Sequence, residues 1–437
     1  MEYIIRKAQI LLPSGEIFLG DLGVNQGKIS AVAPIITPRE ETTIIEATGL
    51  TLLPGVIDPQ VHFREPGLEH KEDLFTASCA CAKGGVTSFL EMPNTRPLTV
   101  TQAELDDKLE RSAAKSLVNY GFFIGATPEN LPDLLTANPT CGIKIFMGSS
   151  HGALLVSQEE QLEPIFAQGK RLIAVHAEDQ ARIEQRRREF VGISDPAIHS
   201  EIQDEQTALN ATQLAVKLSN KYQRRLHILH LSTGIEAEWL RENKADWITT
   251  EVTPQHLLLN TEAYEKIGTL AQMNPPLRSP ENNGILWQAL RDGVIDFIAT
   301  DHAPHTLAEK AKDYPHSPSG MPGVETALPL MLTQAVAGRC TLAEVSRWMS
   351  SAVAKAYQIE SKGSITPGYD ADLVLVDLNA YRPVLREELL TKCGWSPFEG
   401  WNLTGWPVLT MVNGEIVYQN GKVNPEKRGK ALNYTKY

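Results

Sequence analysis

The chain has 437 residues, of which 42% are hydrophobic and 22% are charged, the balance of a globular protein rather than a disordered or fibrous one. A formal net charge of −12 repels phosphate backbones, so nucleic acid is not an expected partner. The sequence shows no signal peptide and no apolar run of membrane-spanning length, so we expect a cytoplasmic protein. The few, scattered cysteines exclude a disulfide framework and are typical of small core residues.

The two ends of the chain have the same kind of sequence. The N-terminal segments YIIRKAQIL and TTIIEATGLTLLPG and the C-terminal segments DADLVLVDL and VLTMVNGEIVYQNGK are rich in β-branched residues and interrupted by turn residues. They predict short strands without long helices. We therefore expect a small β-sandwich-like domain formed by both termini, residues 1–54 together with residues 365–437.

The middle of the chain alternates short apolar runs with helical stretches. The apolar runs are VTSFLEM, NYGFFIGA, GIKIFM, RLIAVHAE, HILHLS, WITTEVT and DFIATDH. Strand-then-helix alternation repeated about eight times predicts a parallel (β/α)8 TIM barrel, an α/β fold, over residues 55–364. The irregular stretch Thr306–Gly323 follows the last of these strands, and long loops in compact domains are often lids over a site.

Polar side chains collect at the C-terminal ends of these runs, the face on which TIM barrels place their active sites. A single histidine there is usually structural, but several metal-ligand types at equivalent positions indicate a metal site. Lys144 lies in an apolar strand, where its amine must either form an ion pair or be chemically changed. Because side chains alternate along a strand, Asp58, Gln60 and His62 are expected on one face. The candidates are Gln60, His62, Arg64, Lys144, His176, His230 and Asp301.

Eight motifs occur in order through this region: DPQVHFREPG, FLEMPNT, GIKIFMGSS, VHAED, HILHLST, NPPLR, IATDHAPH and GMPGVET. With these motifs the chain resembles the amidohydrolase superfamily and, within it, the dihydroorotase family, over roughly Pro54 to Gly414. The resemblance implies a zinc-dependent cyclic amide hydrolase. Its reaction would interconvert L-dihydroorotate and N-carbamoyl-L-aspartate in pyrimidine synthesis.

The resemblance also implies roles for the polar residues at the barrel mouth. Lys144 would react with CO2 to form a carbamate that bridges the zinc ions, of which one or two would bind, two being favoured. Asp301 would contact metal and also carry a proton during catalysis. The implied metal ligands are His62, Lys144, His176, His230 and Asp301.

A second group of residues is implied to bind substrate. Arg64 and Asn94 match the residues that hold the substrate carboxylate. Asn274 and His305 match positions that contact the ring and its carboxylate. Backbone groups after Pro322 are expected to contact the ring as well.

The residues by themselves leave simpler roles open. Arg64 could form a surface ion pair with Glu65 or Glu69, and Asn94 could be a turn residue before a proline. The remaining histidines match no ligand position. We expect His256 to lie behind the ligands, His227 to be structural, and His151, His199 and His316 to be loop or surface residues.

One position departs from the family pattern. Where many relatives carry His-x-His, this chain has Gln60-Val61-His62, and glutamine is a poorer zinc donor than imidazole. Three interpretations remain open: the Gln60 amide oxygen binds metal, the side chain lies behind the ligands, or the site is degenerate and catalytically silent. The presence of every other implied residue disfavours the third.

Two other functions fit parts of the pattern. An allantoinase- or hydantoinase-type cyclic amidase would share the barrel and the metal ligands but would have no carboxylate for Arg64 to bind. A non-catalytic scaffold that binds aspartate transcarbamoylase would account for Gln60. The expected partners are therefore a small-molecule substrate, a second copy of the chain in a homodimer and, in the scaffold case, aspartate transcarbamoylase.

Overall fold

The computed structural model of the protein describes residues 1–149 and 152–435. Both ends of the chain form β-strands. The N-terminal strands are β1 (Tyr3–Leu11), β2 (Ile17–Asn25), β3 (Lys28–Ala33), β4 (Thr43–Glu46) and β5 (Thr51–Pro54). The C-terminal strands are β14 (Leu373–Pro383), β15 (Asn402–Val412), β16 (Glu415–Gln419) and β17 (Lys422–Val423).

These strands form one sheet, in the order β17-β16-β15-β14-β5-β1-β2-β3 with β4 paired to β1. The two ends of the chain meet where β5 runs antiparallel to β14, with Thr51 opposite Val376 and Pro54 opposite Leu373. Leu52 and Met411 are among the side chains of its buried apolar core. The prediction that both termini share a small sheet is confirmed, whereas the exact domain boundaries stay a prediction.

The middle of the chain forms a second, parallel sheet in which each strand pairs with the next one along the chain. Its strands are β6 (Val56–Val61), β7 (Val86–Glu91), β8 (Asn119–Gly125), β9 (Gly142–Phe146), β10 (Ile173–His176), β11 (Leu226–Ile228), β12 (Ile248–Val252) and β13 (Phe297–Ile298). A parallel bridge between Val61 and His302 nearly closes this sheet into a barrel. The predicted TIM barrel is confirmed.

Helices follow most of the barrel strands. They are α1 (Leu74–Gly84), α2 (Gln102–Lys115), α3 (Leu131–Thr136), α4 (Glu159–Ala167), α5 (Gln180–Glu189), α6 (Ile198–Ile202), α7 (Glu205–Tyr222), α8 (Gly234–Asn243), α9 (Pro254–Leu258), α10 (Ala263–Ile267), α11 (Pro280–Arg291), α12 (Leu307–Lys310), α13 (Ala327–Val336), α14 (Leu342–Ser346) and α15 (Ala352–Tyr357). Within residues 1–149 and 152–435, none of the helices has the length and apolar character needed to cross a bilayer.

Burial explains why the barrel strands are apolar runs. Every residue of β6 to β10 is buried, because side chains pointing inward fill the barrel and side chains pointing outward pack under the helices. Most of the polar side chains that reach the open mouth follow the end of a strand, whereas Gln60 and Lys144 reach it from within β6 and β9. The sequence pattern of apolar run followed by polar residue therefore sets the position of the site.

Asp58 joins the first strand of the barrel to the last. One carboxylate oxygen accepts hydrogen bonds from the backbone N–H groups of Thr300 (3.1 Å) and Gln60 (3.3 Å). The other accepts from the Thr300 hydroxyl at 2.5 Å. Because β13 contains only two residues, it can form few backbone hydrogen bonds to β6. The hydrogen bonds of the Asp58 side chain therefore provide part of the link between the first and last barrel strands.

A buried ion pair supports the end of β6 from the neighbouring strand. Lys108 Nζ lies 2.7 Å from Glu91 Oε2 and donates to the Met92 carbonyl, and both charged side chains are fully buried. The other carboxylate oxygen of Glu91 accepts a hydrogen bond from the backbone N–H of Phe63 at 3.0 Å. The pair thereby fixes the backbone directly after His62.

We expect Lys108→Met to lower the free energy of unfolding by about 3–5 kcal/mol, because it leaves the buried Glu91 carboxylate without its partner. Urea titration followed by circular dichroism measures this loss. The matched control is Lys217→Met, which removes a lysine whose ion pair with Glu159 is exposed to solvent and so should change stability little. Equal losses in the two variants would contradict the argument.

Candidate active site

One cavity of about 680 Å³ opens at the carboxyl-terminal mouth of the barrel. Its lining includes every residue whose side chain the sequence analysis assigns to metal or substrate binding. These residues are Gln60, His62, Arg64, Asn94, Lys144, His176, His230, Asn274, Asp301 and His305. Side chains from six of the barrel strands or the turns after them, together with Asn274 from the segment after α10, thus meet in one place.

His62 faces Asp301 across the first and last strands. Its Nδ1 lies 2.6 Å from Asn94 Oδ1, and its Nε2 lies 3.1 Å from Asp301 Oδ1. Burial lowers the pKa of His62, so the neutral ring is favoured. With Nδ1–H donating to Asn94, the lone pair of Nε2 points at a carboxylate oxygen, an arrangement that requires a proton or a cation between the two atoms.

His176 and His230 form a second pair. His176 Nε2 donates to Glu178 Oε2 at 2.7 Å, and His176 Nδ1 lies 2.9 Å from His230 Nε2. Glu178 is fully buried and fixes the tautomer of His176, as carboxylates commonly do for metal-binding histidines. Burial holds the pKa of His230 well below its ordinary value, so this ring is neutral as well.

Lys144 lies in β9, 1% exposed, with its ammonium 4.5 Å from the centroid of the Phe146 ring. Lys144 Nζ has no hydrogen-bond partner among the described residues. Burial lowers the pKa of Lys144 to about 7, so part of the protein carries a neutral amine at neutral pH. An ion pair, the first of the two alternatives left by the sequence, is therefore not what stabilises this side chain.

Gln60 lies beside Asp301. Its Nε2 donates to Asp301 Oδ1 at 3.2 Å, while its Oε1 is buried and has no hydrogen-bond partner in residues 1–149 and 152–435. The assignment of the two amide atoms follows from the carboxylate, which can only accept. The free amide oxygen is consequently a potential metal donor that no neighbouring side chain occupies.

The donor atoms suit zinc, although they form pairs rather than one cluster. Imidazole nitrogens and a carboxylate are ordinary zinc ligands, and each pair brings two such atoms close together, 3.1 Å apart at His62 and Asp301 and 2.9 Å apart at His176 and His230. Across the described part of the chain, no three His, Cys, Asp or Glu side chains already surround a single metal position. Lys144 lines the same cavity as both pairs.

Arg64 places a cation at the edge of the cavity. It is 7% exposed, and its Nε donates to the Pro304 carbonyl at 3.1 Å. Among the described residues, no carboxylate lies within ion-pair distance of the Arg64 guanidinium. Glu65 pairs instead with Lys115, and the Glu69 carboxylate accepts a hydrogen bond from the Gly67 N–H. The surface ion pair considered from the sequence is therefore wrong.

His305 is held between two cations. Lys71 Nζ donates to His305 Nδ1 at 3.1 Å, and His305 Nε2 then donates to the Ser319 carbonyl at 3.1 Å. The Arg64 Nη2 lies 3.3 Å from the same Nε2, which cannot accept in this tautomer. One side of the guanidinium therefore has donors available for a ligand.

Three residues of the cavity adopt left-handed backbone conformations that non-glycine residues rarely take. The φ angles are +67° at Arg64, +37° at His230 and +46° at Asp301. Such conformations cost free energy and persist where the surrounding structure enforces them, typically at functional sites. They turn the side chains that follow a strand toward the barrel axis.

Several expectations from the sequence are wrong in detail. Asp58 does not share the cavity face of Gln60 and His62, because the pairing of β6 with β7 shifts register between Asp58 and Val61. His199, expected at the surface, is 5% exposed and donates to Asn274 Oδ1 at 2.7 Å. His151 lies outside the described residues.

The loop after β13 does reach the cavity, but with other residues than expected. Pro318, Ser319 and Gly320 line the cavity. The backbone N–H groups of Gly323 and Val324 instead contact His302 Nδ1, at 3.0 and 3.3 Å. Backbone groups directly after Pro322 are therefore engaged inside the barrel wall, so they do not face a substrate.

Two residues that contact the site were missed by the sequence analysis. Glu178 orients His176, and Lys71 orients His305. A signal for Glu178 was present, since residues two apart at a strand end share one face and VHAED places a carboxylate there. Lys71 has no comparable signal, because its contact with His305 joins distant parts of the chain.

The fold and the cavity define a TIM-barrel enzyme whose site lies at the carboxyl-terminal mouth. Residues 51–417 match the amidohydrolase family, and the chain belongs to that family. The resemblance drawn from the eight motifs is thus confirmed.

Curated relatives and solved structures give consistent comparisons. A dihydroorotase from Methanosarcina mazei is 37% identical, with 94% of this chain and 93% of the relative covered. A dihydroorotase from Bacillus subtilis is 33% identical, with 97% of this chain and 100% of the relative covered. The structure of L-hydantoinase (dihydropyrimidinase) from Arthrobacter aurescens superposes with a TM-score of 0.94 at 30% identity, covering 99% of both chains.

The burial of His199 predicts a pH dependence of stability. Burial lowers the pKa of His199 from 6.5 to about 4, so between these values the unfolded chain binds a proton that the folded protein does not. The free energy of unfolding should therefore fall as the pH decreases from about 6.5 to about 4, and His199→Gln should reduce that slope by up to one proton per molecule. Urea midpoints across this pH range measure the slope.

The matched control is His316→Gln, because the His316 side chain is exposed in the folded protein. This variant should keep the pH slope of the parent protein. A His199→Gln variant with an unchanged slope would show that His199 takes up its proton equally in both states.

Proposed function

We propose that this protein is a dihydroorotase, which reversibly hydrolyses L-dihydroorotate to N-carbamoyl-L-aspartate in pyrimidine synthesis. The observation that carries the proposal is the buried Arg64 guanidinium, which lacks a carboxylate partner in the described chain and lines the cavity of the histidine pairs. A planar guanidinium can bind a ring carboxylate through two parallel hydrogen bonds. The names of the curated relatives support the same assignment.

The proposed cofactor is zinc, held by the two pairs of donors and by a carboxylated Lys144. When bound, zinc lowers the pKa of water enough to supply hydroxide at neutral pH and polarises the amide carbonyl of the substrate. The lowered pKa values of His62 and His230 support this site. The buried Lys144 amine, which has no hydrogen-bond partner in the described residues, supports it as well. The proposed ligands are His62, Lys144, His176, His230 and Asp301, with Gln60 beside them.

The residues of this chain have distinct tasks in the proposed reaction. Arg64 and Asn94 hold the substrate carboxylate, and Asn274 and His305 position the ring. Asp301 accepts a proton from the attacking water and delivers it to the ring nitrogen as the amide C–N bond breaks. In the reverse direction the same carboxylate removes the proton from the ureido nitrogen, and the ring closes with loss of water.

A hydantoinase is the second candidate, and the similarity to L-hydantoinase favours it. Neutral hydantoin rings have no carboxylate, so they would leave the Arg64 charge without a partner in a closed complex. Unpaired buried charges are costly, which makes a carboxylate-bearing substrate the better match for this cavity. A scaffold function, a homodimer and an association with aspartate transcarbamoylase stay predictions.

Turnover of L-dihydroorotate and of N-carbamoyl-L-aspartate by the zinc-loaded protein, between about pH 6 and 9, tests the proposal directly. We expect Arg64→Ala to lower kcat/KM for L-dihydroorotate roughly 30-fold or more, since losing a buried charge-assisted pair costs about 2 kcal/mol or more. Dihydrouracil, which has the same ring without the carboxylate, is the matched control substrate. Parallel losses on both substrates, or no turnover by the parent protein, would refute the assignment.

Lys144 provides a separate test. Lys144→Ala should lose bound zinc as well as activity, because no carbamate can form, and short carboxylic acids should restore part of both. Inductively coupled plasma mass spectrometry measures the zinc, and the assay above measures the activity. Lys310→Ala is the matched control for zinc content, since Lys310 is another buried lysine but contacts the carbonyls of Gln272 and Pro318 outside the histidine pairs. Full zinc content in Lys144→Ala would exclude the bridging role.

A further inference from the structure

We infer that Gln60 makes the two halves of the proposed metal site unequal in their affinity for zinc. The half formed by His176 and His230 binds its ion tightly, and the half formed by His62 and Asp301 binds a second ion much more weakly. This inference rests on the zinc site of the proposed function. It assigns Gln60 as the residue that sets the difference.

The first step of the argument is the orientation of the Gln60 amide. Because Asp301 Oδ1 can only accept, the amide nitrogen must be the atom at 3.2 Å, and the oxygen must point away from the carboxylate. The same Oδ1 lies 3.1 Å from His62 Nε2. One carboxylate oxygen thus already has two nitrogen neighbours, and a metal ion on this side has to compete with the amide N–H for it.

The second step compares the donors of the two halves. The half at His176 offers two imidazole nitrogens 2.9 Å apart, one of which has its tautomer fixed by the buried Glu178. The half at His62 offers one imidazole, a shared carboxylate oxygen and an amide. An amide oxygen carries no net charge and is a weaker donor to zinc than imidazole or carboxylate.

The third step concerns what Gln60 does when the weaker half is empty. Gln60 Oε1 is buried and has no hydrogen-bond partner in the described residues, so it is free to bind an ion. Without an ion, burial of this unpaired oxygen costs free energy. In that state the Gln60 N–H group donates a hydrogen bond to Asp301 Oδ1. The protein with a single ion at the other half therefore keeps the hydrogen bond between Gln60 and Asp301.

Zinc stoichiometry tests the inference without reference to activity. The protein is dialysed against buffers of defined free zinc, and bound zinc per chain is measured by mass spectrometry. We expect one ion to bind first and the second to require roughly 10- to 100-fold more free zinc, the typical effect of weakening one group around a metal. Gln60→His and Gln60→Glu, which supply a stronger donor at the same position, should each bring the second ion into the range of the first.

The matched control is Gln255→His. Gln255 is also fully buried, with its Nε2 donating to the Thr300 carbonyl and its Oε1 without a partner in the described chain, but it does not line the cavity. Its zinc binding should equal that of the parent protein. Thermal melting and circular dichroism verify that each variant is folded, and the Gln60→Glu variant keeps nearly the shape of the parent side chain.

Two results would overturn the inference: two ions binding to the parent protein with equal affinity, or folded Gln60 variants whose second ion binds no more tightly than in the parent. The proposed function fails separately. A parent protein that binds one ion tightly and a second weakly, but does not turn over L-dihydroorotate, would refute the dihydroorotase assignment and leave the role of Gln60 standing.

Discussion

Closure of the barrel between its first and last strands is the constraint on which the rest of the site depends. The strand at that seam contributes only two residues, so Asp58 completes the joint through the backbone and hydroxyl of Thr300. This joint brings Gln60 and His62 from one end of the barrel sequence next to Asp301 from the other. Without it, the donors of one half of the proposed metal site would belong to separate edges of an open sheet.

The cavity contains positive charge although the whole protein is negatively charged. The chain carries a formal net charge of −12, yet the cavity contains two buried cations, Arg64 and Lys144, that have no carboxylate partner in the described residues. Burial lowers their pKa values, to about 10 and about 7 respectively. Such a site is stabilised by whatever brings negative charge into it, which is what a carboxylate ligand on one cation and a carbamate on the other would do.

The apolar and polar pattern of the sequence was sufficient to predict the barrel and the shared terminal sheet, because buried strands must be apolar. The same pattern pointed to polar side chains such as His62, His176 and Asp301 at the barrel mouth, whereas Asn94, Asn274 and His305 followed only from the family resemblance. It failed where the outcome depended on local irregularity or on distant contacts. Simple alternation put Asp58 in the cavity, but a register shift in the first barrel strand turns it to the seam instead. The buried His199 has its hydrogen-bond partner in Asn274, which lies far along the chain. The periodicity of the local sequence cannot reveal such a distant contact.

The pairing of β5 with β14 has a consequence for biosynthesis. Thr51 meets Val376 and Pro54 meets Leu373, so the N-terminal strands leave the ribosome long before their neighbour exists. At ordinary translation rates the interval is on the order of tens of seconds, during which the edge of β5 has unsatisfied backbone groups and exposed apolar side chains. The terminal sheet can therefore be completed only after the whole barrel segment has been synthesised.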